Sequence, residues 1–227
     1  MIDDGHYRIL SFGVSDEQSV QLKSKPHILQ HAYTQAMMVS LLFCQPKRVV
    51  LLGLGAGSVL SALHYMVGGV KIEAVDNRQS VINIAKKYFR LPTSKNISLH
   101  CSDAKDFIAQ RSAKKVDLIM TDLYSDLGMD ESQISQSYLR DCAGQLKVNG
   151  WLVINCWGIA DQHSELFRQL KPLYADVRHC ESGDGNIIIF AGKQKCLLSH
   201  SALRDLASDY ATSLEFDLQR YLEACRA

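Results

Sequence analysis

The sequence contains no uninterrupted apolar stretch approaching the roughly eighteen residues that a membrane-spanning helix needs, so no membrane partner is expected. Its first residues, MIDDGHYRIL, lack the basic segment and apolar core of a signal peptide. No C-x-x-C pair occurs among its seven cysteines, scattered at Cys44, Cys101, Cys142, Cys156, Cys180, Cys196 and Cys225. An odd, dispersed set argues against a disulfide framework and against a zinc site; no metal and a reducing, cytoplasmic setting are expected. Excess charge is missing too: 25 Lys and Arg stand against 24 Asp and Glu, with no basic run or stripe. Nothing therefore drives binding to a phosphate backbone, and nucleic acid is not an expected partner. Repeats, linkers and low-complexity tracts are absent as well.

What remains is an ordinary globular composition, 47% hydrophobic and 22% charged over 227 residues. A chain of this length buries about 70% of the surface its unfolded form exposes, enough to hold a core without a covalent or metal staple. Two alternating segments, 7–12 and 19–23, flank Gly13-Val14-Ser15-Asp16 and predict a β-hairpin. Two of the four prolines, Pro26 and Pro46, bracket a predicted helix over 28–43. From Arg48 the pattern becomes strand, turn, helix. Arg48-Val49-Val50-Leu51-Leu52 is a continuous apolar run stopped by glycine, the signature of a strand buried on both faces of a parallel sheet. Further strands are expected at 70–75, 97–101, 116–121 and 151–156, with helices at 80–88 and 136–146, the latter stopped by Asn149-Gly150. Strands alternating with helices imply an α/β fold with a mostly parallel sheet covered on both faces. Segments 178–181 and 186–191 around Ser182-Gly183-Asp184-Gly185 predict a closing antiparallel pair. The last segment, from Ser199, is helical by periodicity and lies across the domain or serves an interface, a homodimer being the assembly considered. The organisation expected is a hairpin and helix over 1–45, a nucleoside-binding α/β domain over 46–195 and a helical extension over 196–227.

The chemistry gathers around Gly53-Leu54-Gly55-Ala56-Gly57, between the first buried strand and the next helix. Glycines there permit positive φ and close backbone approach, and the helix start offers free N–H groups. Nineteen residues past Gly57, at the end of the second strand, stands Asp76, suited to accept hydrogen bonds from both ribose hydroxyls of an adenosine. The plain alternative is a tight turn with Asp76 capping the next helix. A nicotinamide site would want glycine at Ser58; the spacing G-x-G-x-G instead suits an S-adenosyl-methionine-type nucleoside. Asp103 follows a strand and precedes a helix, so it is either a ligand contact or an N-cap. Asp122 ends the fourth strand, at the carboxyl edge where open α/β sheets bind ligands, unless it is a solvated loop acid. Tyr33 sits at helical spacing from Leu29 and Met37, which plain core packing also explains.

Over roughly residues 5–192 the sequence resembles the spermidine synthase family, the aminopropyltransferases. The stretches that carry the resemblance are YRILSFG, HAYTQAMM, VVLLGLGAGSVLSAL, EAVDNRQSVINIAKKYF, LHCSDAKDFI and VDLIMTDLYSD. The resemblance implies the fold of class I S-adenosyl-methionine-dependent methyltransferases: a Rossmann-like, mostly parallel seven-stranded sheet with a small N-terminal β-hairpin. It implies decarboxylated S-adenosyl-methionine as the cofactor, with a small polyamine as acceptor. Carried over by motif, the cofactor-binding residues are Gly53, Gly55, Gly57 and Asp76, with Asp103 and Ala104 at the adenine. The catalytic acid is Asp122. Tyr33 and Gln35 fall at the substrate, with Tyr124 expected as a further wall of its pocket and Asp126 as a loop carboxylate beside it.

Two departures bear on the activity. The Asp that typical members carry within the glycine turn is Ala56 here, and the Asp expected three residues after the catalytic one is Ser125, with Asp126 displaced by one. Asp126, Asp130 and Glu131 offer replacement carboxylates in the same loop. Two further readings stay open from the sequence: a methyltransferase using intact S-adenosyl-methionine, and a nucleoside-binding module without catalysis.

Overall fold

Three short strands, β1 (Ile2–Asp4), β2 (Tyr7–Ser11) and β3 (Glu17–Leu22), form an antiparallel sheet at the start of the chain. The computed structural model describes residues 1–11, 17–110, 114–125, 128–157 and 165–227. The expected hairpin is thus β2–β3 with an added strand, while its turn, Gly13 to Asp16, lies outside the described residues. β1 escaped the sequence because all three of its residues are exposed and carry no apolar alternation.

The helix predicted over 28–43 is shorter and divided: α1 spans Ala32–Met37 and α2 Ser40–Phe43. Leu29 is drawn out of it by an antiparallel bridge to Gln21, and the Leu29 carbonyl accepts 2.8 Å from Gln35 Nε2. Between the two helices Met38 and Val39 donate to the carbonyls three residues back, a tightened turn that ends the α-helical ladder.

A seven-stranded sheet follows, built from β4 (Arg48–Leu52), β5 (Lys71–Asp76), β6 (Ile97–Cys101), β7 (Val116–Thr121), β10 (Leu146–Trp157), β11 (Asp176–Glu181) and β12 (Asn186–Gly192). A two-stranded ribbon of β8 (Tyr124–Ser125) and β9 (Gly128–Met129) lies between β7 and β10 in the chain. The order across the sheet is β6-β5-β4-β7-β10-β12-β11, with β12 antiparallel to both its neighbours and the other strands parallel. β4 supplies Val49 and Leu51 to the core on one face, and Val50 and Leu52 to the core on the other. That division explains why its sequence is apolar throughout.

The first face is covered by α1, α2, α3 (Ser58–Met66) and α4 (Gln79–Tyr88), together with α8 (His200–Leu214) and α9 (Leu218–Ala224). Leu203, Ala207, Leu214, Leu218, Tyr221 and Leu222 of the last two helices enter the same core as Val49 and Leu51, so the C-terminal segment lies across the domain. The opposite face carries α5 (Ala104–Ala109), α6 (Gln136–Gln145) and α7 (Glu165–Leu170).

Asn149-Gly150 does not stop a helix. α6 ends at Gln145, and Leu146 turns to extended backbone and pairs with Val116. The register slips between Leu146 and Trp151, and Gly150 stands in that slip, where a β-carbon would crowd Leu146 and the Asp117 carbonyl. Among the described residues no helix is long and apolar enough to cross a membrane.

Candidate active site

Strand order reverses at β4, so the carboxyl ends of β4 and β7 open a crevice between the sheet's two halves. The chain leaves β4 through Gly53, Gly55 and Gly57, with φ of +94°, +52° and +80°. L-residues with side chains rarely adopt these values. At Gly57, the N-cap of α3, a β-carbon would also meet Leu91 Cδ1 at 2.1 Å. The N-terminal sheet closes over the turn: Ser19 Oγ accepts 3.3 Å from the Ala56 N–H, and Leu10 packs with Ala56, Val81 and Phe89. Ala56 is fully buried there.

Asp76 ends β5 and is 7% exposed. Its Oδ2 accepts 3.3 Å from the Leu54 N–H and its Oδ1 3.0 Å from the Arg78 N–H, which fixes the carboxylate at the cavity wall. It does not cap α4, whose N-cap is Arg78. Asp103 does cap: its Oδ1 accepts from the N–H groups of Lys105 (2.8 Å) and Asp106 (3.3 Å) at the start of α5, while the residue also lines the cavity beside Ala104.

Asp122 follows β7 directly, its N–H donating 2.8 Å to the Leu52 carbonyl. Its Oδ1 accepts 2.7 Å from Asn155 Nδ2, and the Tyr33 hydroxyl stands beside it. Burial raises the Asp122 carboxyl above its ordinary value, against the opposing pull of Asn155 and Tyr33. Burial first, and the Asp122 carboxylate next, raise the Tyr33 and Tyr124 hydroxyls in turn. Asn155 Oδ1 accepts 2.8 Å from Asn186 Nδ2, which also lies 3.5 Å from the Tyr124 hydroxyl. A row of amides thus ties Asp122 to Tyr124 through the ends of β10 and β12. Asp184 in the β11–β12 turn accepts 3.2 Å from the Tyr33 N–H and so anchors the start of α1.

These groups surround one cavity of about 910 Å³. Of the residues singled out by sequence, Gly53, Gly55, Asp76, Asp103, Ala104, Asp122, Tyr33 and Tyr124 line it. Gly57 lies one step behind, as the helix cap. Gln35 is outside the wall. Its Nε2 is held by the Leu29 carbonyl and its Oε1 accepts 2.9 Å from the Tyr221 hydroxyl of α9, so it joins helices rather than facing the cavity. Asp126 lies outside the described residues. The sequence reading passed over Asn155, Asn186, Ser19 and Trp157, which also line the cavity. Asn155 had a usable signal, an amide inside the apolar run Trp151-Leu152-Val153-Ile154-Asn155-Cys156.

Among the charged residues of the walls, carboxylates are in excess. Asp76, Asp103, Asp122, Asp130 and Glu131 face the cavity against two cations, Arg78 and Lys105, and Arg78 Nε already lies 3.9 Å from Asp76. Among the described residues no group of His, Cys, Asp and Glu is placed to hold a metal ion.

The sequence profile of the spermine/spermidine synthase domain matches residues 30–200. The chain belongs to this family. It is 25% identical over 219 residues to a polyamine aminopropyltransferase of Vibrio vulnificus, covering 92% of this chain and 73% of that protein. To the polyamine aminopropyltransferase of Chromobacterium violaceum it is 26% identical over 213 residues, covering 91% and 81%. Among solved structures, a probable spermidine synthase of Corynebacterium glutamicum superposes with a TM-score of 0.76 at 14% identity, over 88% of this chain and 82% of that one. A spermidine synthase in complex with the transition state analogue AdoDATO gives 0.65 at 15% identity (90% and 76%). Human methyltransferase-like protein 13 in complex with SAH gives 0.64 at 22% (83% and 89%). The family therefore has here the methyltransferase-like α/β fold, with its small N-terminal sheet seated over the glycine turn.

Proposed function

We propose that the protein transfers an aminopropyl group from decarboxylated S-adenosyl-methionine to an amine nitrogen of a small polyamine. The observation that carries this reading is the placement of Asp122. Its partly buried carboxylate, raised by burial, stands in a carboxylate-rich cavity between Tyr33 and the Asn155 amide.

The residues fit the donor. The glycine turn has the backbone geometry for close approach of a nucleoside, and the Asp76 carboxylate is fixed at the wall where ribose hydroxyls bind in folds of this order. Asp103 and Ala104 would flank the adenine, while an excess of carboxylates suits an aminopropyl tail better than a methionyl carboxylate. When bound, the donor supplies a sulfonium leaving group beside the carbon to be transferred.

The chain's own part is to bind, orient and take a proton. Asp122 accepts the proton from the ammonium form of the acceptor, leaving the nitrogen lone pair free to attack. A carboxylate raised toward the working range takes that proton more readily than one at its ordinary value. Tyr33 and Tyr124 offer π-faces to the acceptor's cationic groups. Asp130 and Glu131 hold the distal ammonium in the absence of the family's second loop Asp. Ser19, held against the glycine turn by the Ala56 N–H, forms part of the wall at the donor's end of the cavity.

Calorimetry with the decarboxylated and intact donors side by side, followed by mass spectrometry of reactions with putrescine, cadaverine and spermidine, tests the reading. Tighter binding of the decarboxylated donor and gain of an aminopropyl group by one amine are expected. Gain of a methyl group from the intact donor would make the protein a methyltransferase; binding without transfer would make it a nucleoside-binding module.

A further inference from the structure

Gln133 is the most deeply buried side-chain amide near the cavity, with no exposed surface, in the 3-10 turn Glu131–Ile134 after the Asp122 loop. Its Oε1 accepts from the Thr121 hydroxyl (3.1 Å) and from the Leu123 N–H (3.3 Å), the residues on either side of Asp122. Its Nε2 donates 3.1 Å to the carbonyl of Asn155, whose side chain donates to Asp122. The Thr121 hydroxyl donates its hydrogen bond to Gln133, so the Tyr138 hydroxyl, 2.9 Å away, donates to Thr121 Oγ1 in turn. One amide thus fastens the end of β7, the first residue of the loop and the end of β10.

An apolar side chain would fill this space without the desolvation cost that a buried amide carries. We infer that Gln133 is a positioning residue for the transfer: it holds the Asp122 carboxylate and the Asn155 amide in register with each other. It does not itself line the cavity; it bonds to the residues on either side of Asp122 and to the main-chain carbonyl of Asn155. The kinetic part of this inference rests on the aminopropyl-transfer reading; the geometric part does not.

The test compares Gln133→Met, which keeps the volume and loses the amide, with Gln133→Glu, whose protonated carboxyl can repeat both the accepted and the donated bond. Four quantities are read: the thermal midpoint, methylthioadenosine affinity by calorimetry, kcat and KM for the amine, and the titration midpoint of Asp122 by carboxyl ¹³C NMR, assigned with Asp122→Asn. In Gln133→Met the nucleoside affinity and the amine KM stay within about threefold, and kcat falls roughly 10- to 100-fold, as a small misplacement of a reacting group produces. The Asp122 titration moves upward, because the Asn155 hydrogen bond that favours the charged carboxylate loosens. In Gln133→Glu the Asp122 titration stays near that of the parent, which a role in packing alone would not predict. A folded Gln133→Met with the parent's kcat and an unmoved Asp122 titration overturns the inference. Should Gln133→Met not fold, a shifted Asp122 titration in folded Gln133→Glu overturns it instead. If the parent transfers nothing to any amine, the aminopropyl reading fails, and the Asp122 titration alone still decides whether Gln133 positions that carboxylate.

Discussion

A methyl group added to Gly53 would sit 2.2 Å from the carbonyl oxygen of Asp122. The glycine turn proposed to meet the donor and the acid proposed to serve the acceptor are therefore not two features that happen to share a cavity. They touch, backbone to backbone, and Gly53 also holds a φ of +94°. Gly53→Ala must move both the turn and the Asp122 loop, and backbone strain alone costs about 1–3 kcal/mol. The expected result is a thermal midpoint lower by several degrees, together with weakened methylthioadenosine binding. Calorimetry and a melting curve measure the two effects on the same sample.

Asp122→Asn should preserve nucleoside binding and lower turnover by about 10²–10⁴-fold, the usual worth of a general base. The parent's rate should rise with pH as the raised Asp122 carboxyl ionises, and the variant should lose that rise. Stability follows the opposite course. Between the ordinary carboxyl value of 3.8 and the raised folded value, the native state binds more protons than the unfolded one, so stability falls as pH climbs through that window. At neutral pH the variant should melt at or above the parent, and the gap should close below pH 3.8. A variant that melts well below the parent at neutral pH would show that the ionised carboxylate stabilises the fold.

Asp76→Ala removes the acceptor proposed for two ribose hydroxyls, and methylthioadenosine affinity should drop about 30- to 1,000-fold, or roughly 2–4 kcal/mol. The same carboxylate also receives the Leu54 and Arg78 N–H groups. Some loss of thermal stability should therefore accompany the loss of binding. Unchanged affinity would remove Asp76 from the nucleoside site.

Gln35→Ala separates a structural role from a substrate role. It breaks the bonds to the Leu29 carbonyl and from the Tyr221 hydroxyl, a loss of about 1–3 kcal/mol. Thermal stability should fall by that amount while the KM for the amine stays put. A large rise in KM with stability intact would return Gln35 to the substrate.

Cys180 and Cys225 stand opposite each other. His179 and Arg226 exchange both backbone hydrogen bonds across an antiparallel bridge, which puts the two cysteines in the adjoining non-hydrogen-bonded position. Cα atoms there lie about 4.5 Å apart, within the range a disulfide spans. Under reducing conditions a denaturing thiol titration should count seven free thiols. On exposure to a small-molecule disulfide, this pair should be the first to give a linked peptide pair by mass spectrometry, whatever mixed disulfide forms at the exposed Cys101. Linkage of any other pair first would contradict the register.

The sheet was legible where one rule governed a segment. Arg48–Leu52 is apolar throughout because both of its faces are covered, and nothing in its surroundings competes with that pattern. The glycine turn and Asp122 were legible because positive φ and the carboxyl edge of a parallel sheet restrict what can stand there. Where a distant partner intervened, local reading failed. Residues 28–31 carry helical spacing, but Gln21 claims Leu29 for a bridge. Asn149-Gly150 reads as a helix stop, yet Leu146 has already been taken by Val116. The amides of Gln133, Asn155 and Asn186 form one network across 22 and 31 residues of chain, a separation that no local periodicity records.

β11 is an edge strand of the large sheet, and an open edge is a template on which a second chain can add a strand. The tail occupies that edge at His179, and α9 lies against the same strand, with Cys180 Sγ donating 3.3 Å to the Tyr221 carbonyl. Removing the residues after Leu222 would uncover backbone donors and acceptors that only another chain or water could satisfy. The segment around Arg226 thus covers part of an edge on which another chain could otherwise pair.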